Sequence, residues 1–263
     1  MKRILLVATL MFLFSNIIFS QIKFGLTIGG NYSGLTHKVK KDIDLVSDYD
    51  IGNYSYTFGL RFGFNIDIPI VEDVFSIQPA LLYSQKGYGI SVRGLLNDDP
   101  IIDSVDGSIN VSYNYIELPI DLVFKIQDIR ITIGSYIAYG INGKEVADFT
   151  VYDDAGRKLL HHEWDFDVSA VNGTVDEETF INEHTEGNTT DFFNSFDYGL
   201  NFGIGYVFYE DMVVNAGYSL GLTNVVPNYD VSKQNSDGYN LDNYSENVVM
   251  KNSVFSLSFT YFF

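Results

Sequence analysis

The 263 residues contain no cysteine, which removes disulfide bonding and also the thiol that would carry a lipoprotein's anchor. Any attachment to a membrane must then come from the fold. Basic residues are scarce, 16 Lys and Arg against 34 Asp and Glu, for a formal charge of −18. Nucleic-acid binding needs clustered cations that displace phosphate counterions, so nucleic acid is not expected as a partner. Proline is rare at 5 and tryptophan occurs once, whereas there are 19 Tyr, 21 Phe and 23 Gly. That mixture favours strands and tight turns. Beyond the first twenty residues, no stretch has the three-and-four apolar spacing of an amphipathic helix.

At the start, Lys2 and Arg3 precede an apolar run from Ile4 to Phe19 that ends in Ser20-Gln21. Charge, apolar core and small residue follow in the order of a secretory signal peptide. Residues 1–20 are therefore read as a cleaved signal and 21–263 as one domain. The competing reading is a retained anchor, supported by the length of the run and by Ile18 before the cut.

Large apolar residues then alternate with small or polar ones, the period of a strand. In Phe196–Phe208, the side chains of Phe196, Tyr198, Leu200, Phe202, Ile204, Tyr206 and Phe208 share one face. Asp197, Gly199, Asn201, Gly203 and Gly205 share the other. Similar faces begin at Phe24, Phe58, Phe75, Ile116, Ile129, Val214 and Phe255, predicting about eight strands long enough to cross a bilayer at a tilt. Short connections near Pro69–Asp73, Gln127–Asp128 and Glu210–Asp211 alternate with long ones near Gly34–Asn53, Gly87–Asn110, Asn142–Phe193 and Thr223–Met250.

This parity is that of an outer-membrane barrel, with short periplasmic turns, long outer loops and both ends in the periplasm. A soluble lipocalin-like barrel would need the apolar faces inside. Against it, those faces carry almost no charge, and their opposites combine Gly, Ser, Asn and charges of both signs. The chain also ends on Phe259, Tyr261 and Phe263 at alternating positions, like the terminal signal read by outer-membrane assembly machinery. The expected fold is an all-β, antiparallel, up-and-down transmembrane barrel in the cell outer membrane.

Along the chain stand Phe24-Gly25-Leu26 with Gly29-Gly30-Asn31, the run Ile77-Gln78-Pro79-Ala80-Leu81-Leu82-Tyr83-Ser84-Gln85-Lys86-Gly87, and Tyr115-Ile116-Glu117-Leu118-Pro119-Ile120. Gly203-Ile204-Gly205-Tyr206 and Tyr218-Ser219-Leu220-Gly221-Leu222-Thr223-Asn224 follow. In their order and spacing these segments resemble the PorT-like outer-membrane β-barrel family of Bacteroidota. The family commonly has Glu where this chain has Ala80, so an interior pairing made by that Glu must be absent or replaced. The resemblance implies a barrel and an outer-membrane address; the founding member is linked to protein secretion and gliding, and nothing in these residues carries that role over.

Parity assigns Lys23, Arg61, Asp67, Lys86, Glu117, Asp121, Lys125, Arg130 and Asp197 to the lumen, nearly balanced in sign. In a narrow barrel such a set is read as ion pairs and hydrogen bonds that hold the wall together. Glu117, before Pro119, is expected to pair with Arg61 or Arg130. All four histidines, His37, His161, His162 and His184, fall in expected outer loops without a serine at useful spacing, so no enzyme activity is expected. His161-His162-Glu163 with Asp165 and Asp167, or Glu183-His184 with Glu186, offers metal-ligand types at undiagnostic spacing. Asp230–Asn243 is rich in Asp and Asn but has neither Gly nor terminal Glu at the positions of an EF-hand calcium loop. Solvated acidic loops are the simpler reading, and no cofactor is expected.

The leading functional expectation is a structural or partner-binding barrel that contacts a protein through acidic, Tyr-bearing outer loops. Its surroundings are outer-membrane lipid and lipopolysaccharide, with divalent ions bridging the loops to the latter. The alternatives are a small porin-like channel, and an outer-membrane enzyme or accessory of a secretion system.

Overall fold

The computed structural model describes residues 22–39, 49–95, 104–172, 174–176, 191–209, 211–230 and 248–263. The proposed signal lies outside them. The strands are β1 (Lys23–Val39), β2 (Tyr49–Ser55), β3 (Thr57–Val71), β4 (Phe75–Leu95), β5 (Ser104–Ile126), β6 (Ile129–Tyr152) and β7 (Lys158–Val171). They continue with β8 (Thr174–Asp176), β9 (Asp191–Asn194), β10 (Phe196–Tyr209), β11 (Met212–Gly221), β12 (Asn228–Asp230) and β13 (Val248–Phe262). Among the described residues there is no helix.

Eight strands form a closed ring in the order β10-β11-β13-β1-β3-β4-β5-β6, with β6 returning to β10. Every neighbouring pair in the ring is antiparallel. Closure leaves no edge, which hydrocarbon demands because it offers backbone groups no hydrogen-bond partner. The periplasmic turns are tight, and Asp73 and Gln127 take the left-handed conformation with φ of 56° and 54°. Lys125 N donates to Val74 O at 2.8 Å and Val207 N to Asp128 O at 2.8 Å, tying adjacent turns together.

The direction of the apolar faces separates a membrane barrel from a soluble one. On β5, Ile116, Leu118, Ile120, Leu122 and Phe124 are exposed, whereas Tyr115, Glu117 and Val123 are buried. Phe58 is 85% exposed and Glu117 is 0% exposed, the inverse of a water-soluble distribution. From Ile116 to Ile126 the outward band spans ~25 Å at ~3.3 Å per residue and a tilt of ~40°. Tyrosines mark its outer border: Tyr32 stacks on Tyr56 with centroids 5.0 Å apart, and the Tyr56 and Tyr218 hydroxyls lie 3.2 and 3.1 Å from Ser253 Oγ. Amphipathic rings suit that boundary.

The strands outrun the boundaries expected from alternation. The segments read as loops from Gly34, Gly87 and Asn142 begin as strand, since β1 reaches Val39, β4 reaches Leu95, β5 starts at Ser104 and β6 reaches Tyr152. Above the lipid band the backbone ladder continues, but both faces meet water or protein and the apolar-polar alternation fades. There β7 pairs antiparallel with β6, and β2 pairs with β4. Two short pairings are parallel, β7 with β9 and β8 with β12, so the sheets are not wholly antiparallel outside the ring.

Candidate functional site: the lumen

Glu117 and Asp197 both stand opposite Ala138 in their ladders, Glu117 from β5 and Asp197 from β10. Two strand spacings, ~9.6 Å, separate their backbones, and the small Ala138 side chain leaves space between them. The fully buried Lys86 fills it, with Nζ 2.9 Å from Glu117 Oε2 and 3.1 Å from Asp197 Oδ2. Arg61 Nη1 lies 3.2 Å from Glu117 Oε1, so two cations and two carboxylates sum to zero.

Neutral groups complete the shell. Tyr136 Oη and Asn252 Nδ2 each donate to Asp197 Oδ2 at 3.0 Å, and Thr223 Oγ1 donates to Oδ1 at 2.6 Å. The Lys86 ammonium is 4.2 Å from the Tyr136 ring centroid and 5.0 Å from that of Tyr115, within cation-π range. Buried charges persist only when paired in this way, because removing one partner strands the other in a low dielectric.

Above this network lies an apolar plug that includes Leu35, Val111, Tyr113, Val168, Phe193 and Met250. Phe193 stacks on Tyr113 at 4.4 Å and meets Tyr115 edge-on at 5.7 Å. Gly140 makes room for it, since a Cβ there would collide with the ring. The outer half of the lumen is filled by these two layers.

The periplasmic half is looser. Lys125 Nζ pairs with Asp67 Oδ2 at 2.8 Å, and Gln78 Nε2 donates to Asp67 Oδ1 at 2.9 Å. Asp121 accepts from Asn201 Nδ2 at 3.2 Å, and Asn201 in turn accepts from Ser219 Oγ at 2.8 Å. A polar cavity of about 90 Å³ occupies this level, and a wider one of about 650 Å³ opens at the mouth below.

The structure thus brings Arg61, Lys86, Glu117 and Asp197 into one cluster and pairs Asp67 with Lys125. Glu117 pairs with Arg61 and Lys86; Arg130 has no ion pair among the described residues and lies with its guanidinium carbon 5.3 Å from the Phe262 ring centroid. Lys23 has inward parity but stands half-exposed at the rim, bonded to Asp211 at 2.8 Å. Tyr136, Asn252, Thr223 and Phe193 went unrecognised as site residues. Inward parity on β6 could have found Tyr136, whereas Thr223 and Phe193 lie in segments read as loops.

Outside the barrel, the β6–β7 hairpin carries Lys144–Asp165 at 2.7 Å and His161 Nδ1 3.4 Å from Asp148. His162 belongs to the opposite face of β7 by strand parity, against Trp164 at 4.4 Å. Among the described residues no three ligand-type side chains gather as a metal site. Glu183, His184 and Glu186 lie outside them, as does 231–243 of the acidic segment, and the His37 side chain is not described. Phe259, Tyr261 and Phe263 follow the outward parity of β13.

A closed ring with greasy exterior and charged interior defines an outer-membrane β-barrel. Residues 14–226 match the outer membrane protein beta-barrel domain, and the chain belongs to that family, which places it in the outer membrane. Among solved structures it is similar to Ail, the attachment invasion locus protein of Yersinia pestis, at 11% identity and a TM-score of 0.34, covering 92% of this chain and 98% of that one. It is similar also to OprG from Pseudomonas aeruginosa, at 12% identity and a TM-score of 0.32, covering 92% and 96%. Neisserial surface protein A gives 11% identity and a TM-score of 0.34, with 90% and 96% covered. Comparison with curated proteins gives no match.

Proposed function

We propose that this outer-membrane barrel is a structural platform that presents an acidic extracellular hairpin to a protein partner, its lumen acting as an internal brace. The observation that carries the reading is the β6–β7 ribbon. β7 is exposed over most of its length on both faces, with Glu163, Asp165 and Asp167 on one and Trp164 on the other. A ribbon on which Lys144 pairs with Asp165, while Glu163 and Asp167 keep no ion pair among the described residues, beside an aromatic surface, suits a basic partner, since charge speeds encounter and aromatics supply contact area. The filled outer lumen favours a brace over a conduit. Divalent ions bridging the same carboxylates to lipopolysaccharide fit this placement, and the outward Phe259, Tyr261 and Phe263 fit recognition by assembly machinery. The resemblance to a PorT-like subgroup adds no specific secretion role to the reading.

The test is cross-linking on intact cells with tagged protein. Replacing Glu163, Asp165 and Asp167 together by Lys is expected to reduce partner capture about tenfold, the effect of ~1.4 kcal/mol, while heat-modifiable gel mobility stays the same. Equal capture by the charge-reversed protein would exclude the hairpin as the contact.

A further inference from the structure

Two lumen charges stand without an ion pair among the described residues, Arg130 and Asp121. Arg61, Lys86 and Lys125 each lie within 3.2 Å of a carboxylate. Arg130 has no such partner among the described residues, and its Nε is buried without a hydrogen bond. A guanidinium offers five donors in a planar fork, and on this half-buried one the enclosed Nε–H is left without an acceptor.

Its position adds to this. Arg130 lines both the polar cavity of about 90 Å³ and the mouth of about 650 Å³, so it stands where the two meet. The cavity is several times the volume that one water needs. Small residues on the neighbouring strands, Gly203 and Gly217, line it and leave it room, Gly203 standing beside Thr132 in the β6–β10 ladder. Thr132, Ser256 and Ser258 add hydroxyls to the lining.

From these observations we infer that the periplasmic half of the lumen is a binding site for a small monocarboxylate, entering from the periplasm and held by the Arg130 fork. Carboxylate geometry matches the guanidinium bidentately. The surrounding charges limit the ligand to a single negative charge. Asp67 is already neutralised by Lys125, but Glu72, Asp73 and Asp128 line the mouth without ion pairs among the described residues, and Asp121 faces the cavity above. A polyanion would meet that rim unfavourably, and Asp121 keeps a carboxylate at the level of Arg130. Lys23 and Lys125, also at the mouth, are held by Asp211 and Asp67.

The test uses full-length mature protein refolded in an uncharged maltoside detergent, titrated with sodium acetate against sodium chloride at matched ionic strength. The Arg130 Nε–Hε cross-peak is expected to shift saturably with acetate, with a dissociation constant on the order of millimolar, and not with chloride. Arg130→Gln, checked for folding by heat-modifiable mobility, is expected to lose saturable acetate binding measured at the Thr132 and Gly205 amides. Absence of saturation in the folded wild type overturns the site, as does an equal response to chloride or unchanged saturation in Arg130→Gln. Should Arg130→Gln not fold, the wild-type titration decides alone.

Discussion

The two halves of the lumen handle the same problem, polar side chains inside a narrow cylinder, in opposite ways. The outer half combines bulky side chains with paired charges: Lys86 between Glu117 and Asp197, Arg61 behind Glu117, and Phe193 driven into the mouth above them. The periplasmic half lines much of its wall with Gly, Ser and Thr and keeps a polar cavity beside Arg130 and Asp121. Charge in the first half must be neutralised by protein because nothing else fits there. In the second half there is space for solvent or a ligand to share that task.

The comparison breaks most sharply at Lys86. Lys86→Met leaves both Glu117 and Asp197 without the ammonium between them, and an expected loss of ~3–5 kcal/mol would be read from urea unfolding in detergent or lipid. An unchanged midpoint would mean that the cluster is not a brace. Phe193→Ala comes next, with an expected loss of about 3 kcal/mol for a fully buried ring. The wild type is expected to give no unitary conductance in planar bilayers. A steady wild-type conductance would show that the outer half is not closed.

A matched glycine pair sharpens the contrast. A Cβ at Gly199 would collide with the Leu220 carbonyl oxygen of the neighbouring strand and lie 2.6 Å from the Tyr136 ring, so Gly199→Ala is expected to cost ~1–3 kcal/mol. At Gly203 the nearest atoms are 3.2 Å and 3.5 Å away, so Gly203→Ala is expected to be neutral within about 0.5 kcal/mol. Equal costs would show that the two halves are packed alike.

The smallest effect lies outside both halves, at the tip of the β6–β7 hairpin. Backbone N–H donation from Arg157 to Asp153, joined by the Arg157 side chain and the Ala155 amide, holds that carboxyl below its usual range. Its contribution to the turn is therefore fully present above the ordinary Asp value and lost as pH falls through the depressed one. Amide protection at Ala155 and Arg157 is expected to stay level from neutral pH to about pH 5 and to fall only in stronger acid. A fall that began near neutrality would contradict the sign.

Much of the ring was legible because lipid enforces a strict rule on each strand. Every second residue from Phe196 to Phe208 is apolar, and each of those side chains is exposed. The charges of the brace were legible as inward positions, but their pairing was only half so. Glu117 had two candidate arginines by parity, and Lys86 completes its pairing because Ala138 leaves a gap of two strand spacings. Thr223 and Phe193 were hidden because outside the band no solvent boundary imposes a period on them. The extension of β4, β5 and β6 was hidden for the same reason.

The amino-acid order alone determined which face of each strand meets lipid and where the tight turns fall, since both follow from a two-residue period and from local backbone chemistry. Which charges touch, which half of the lumen is filled, and that Arg130 is left with an open fork were decided only by ring closure. Closure brings together side chains from strands far apart in sequence, at distances that no spacing along the chain encodes.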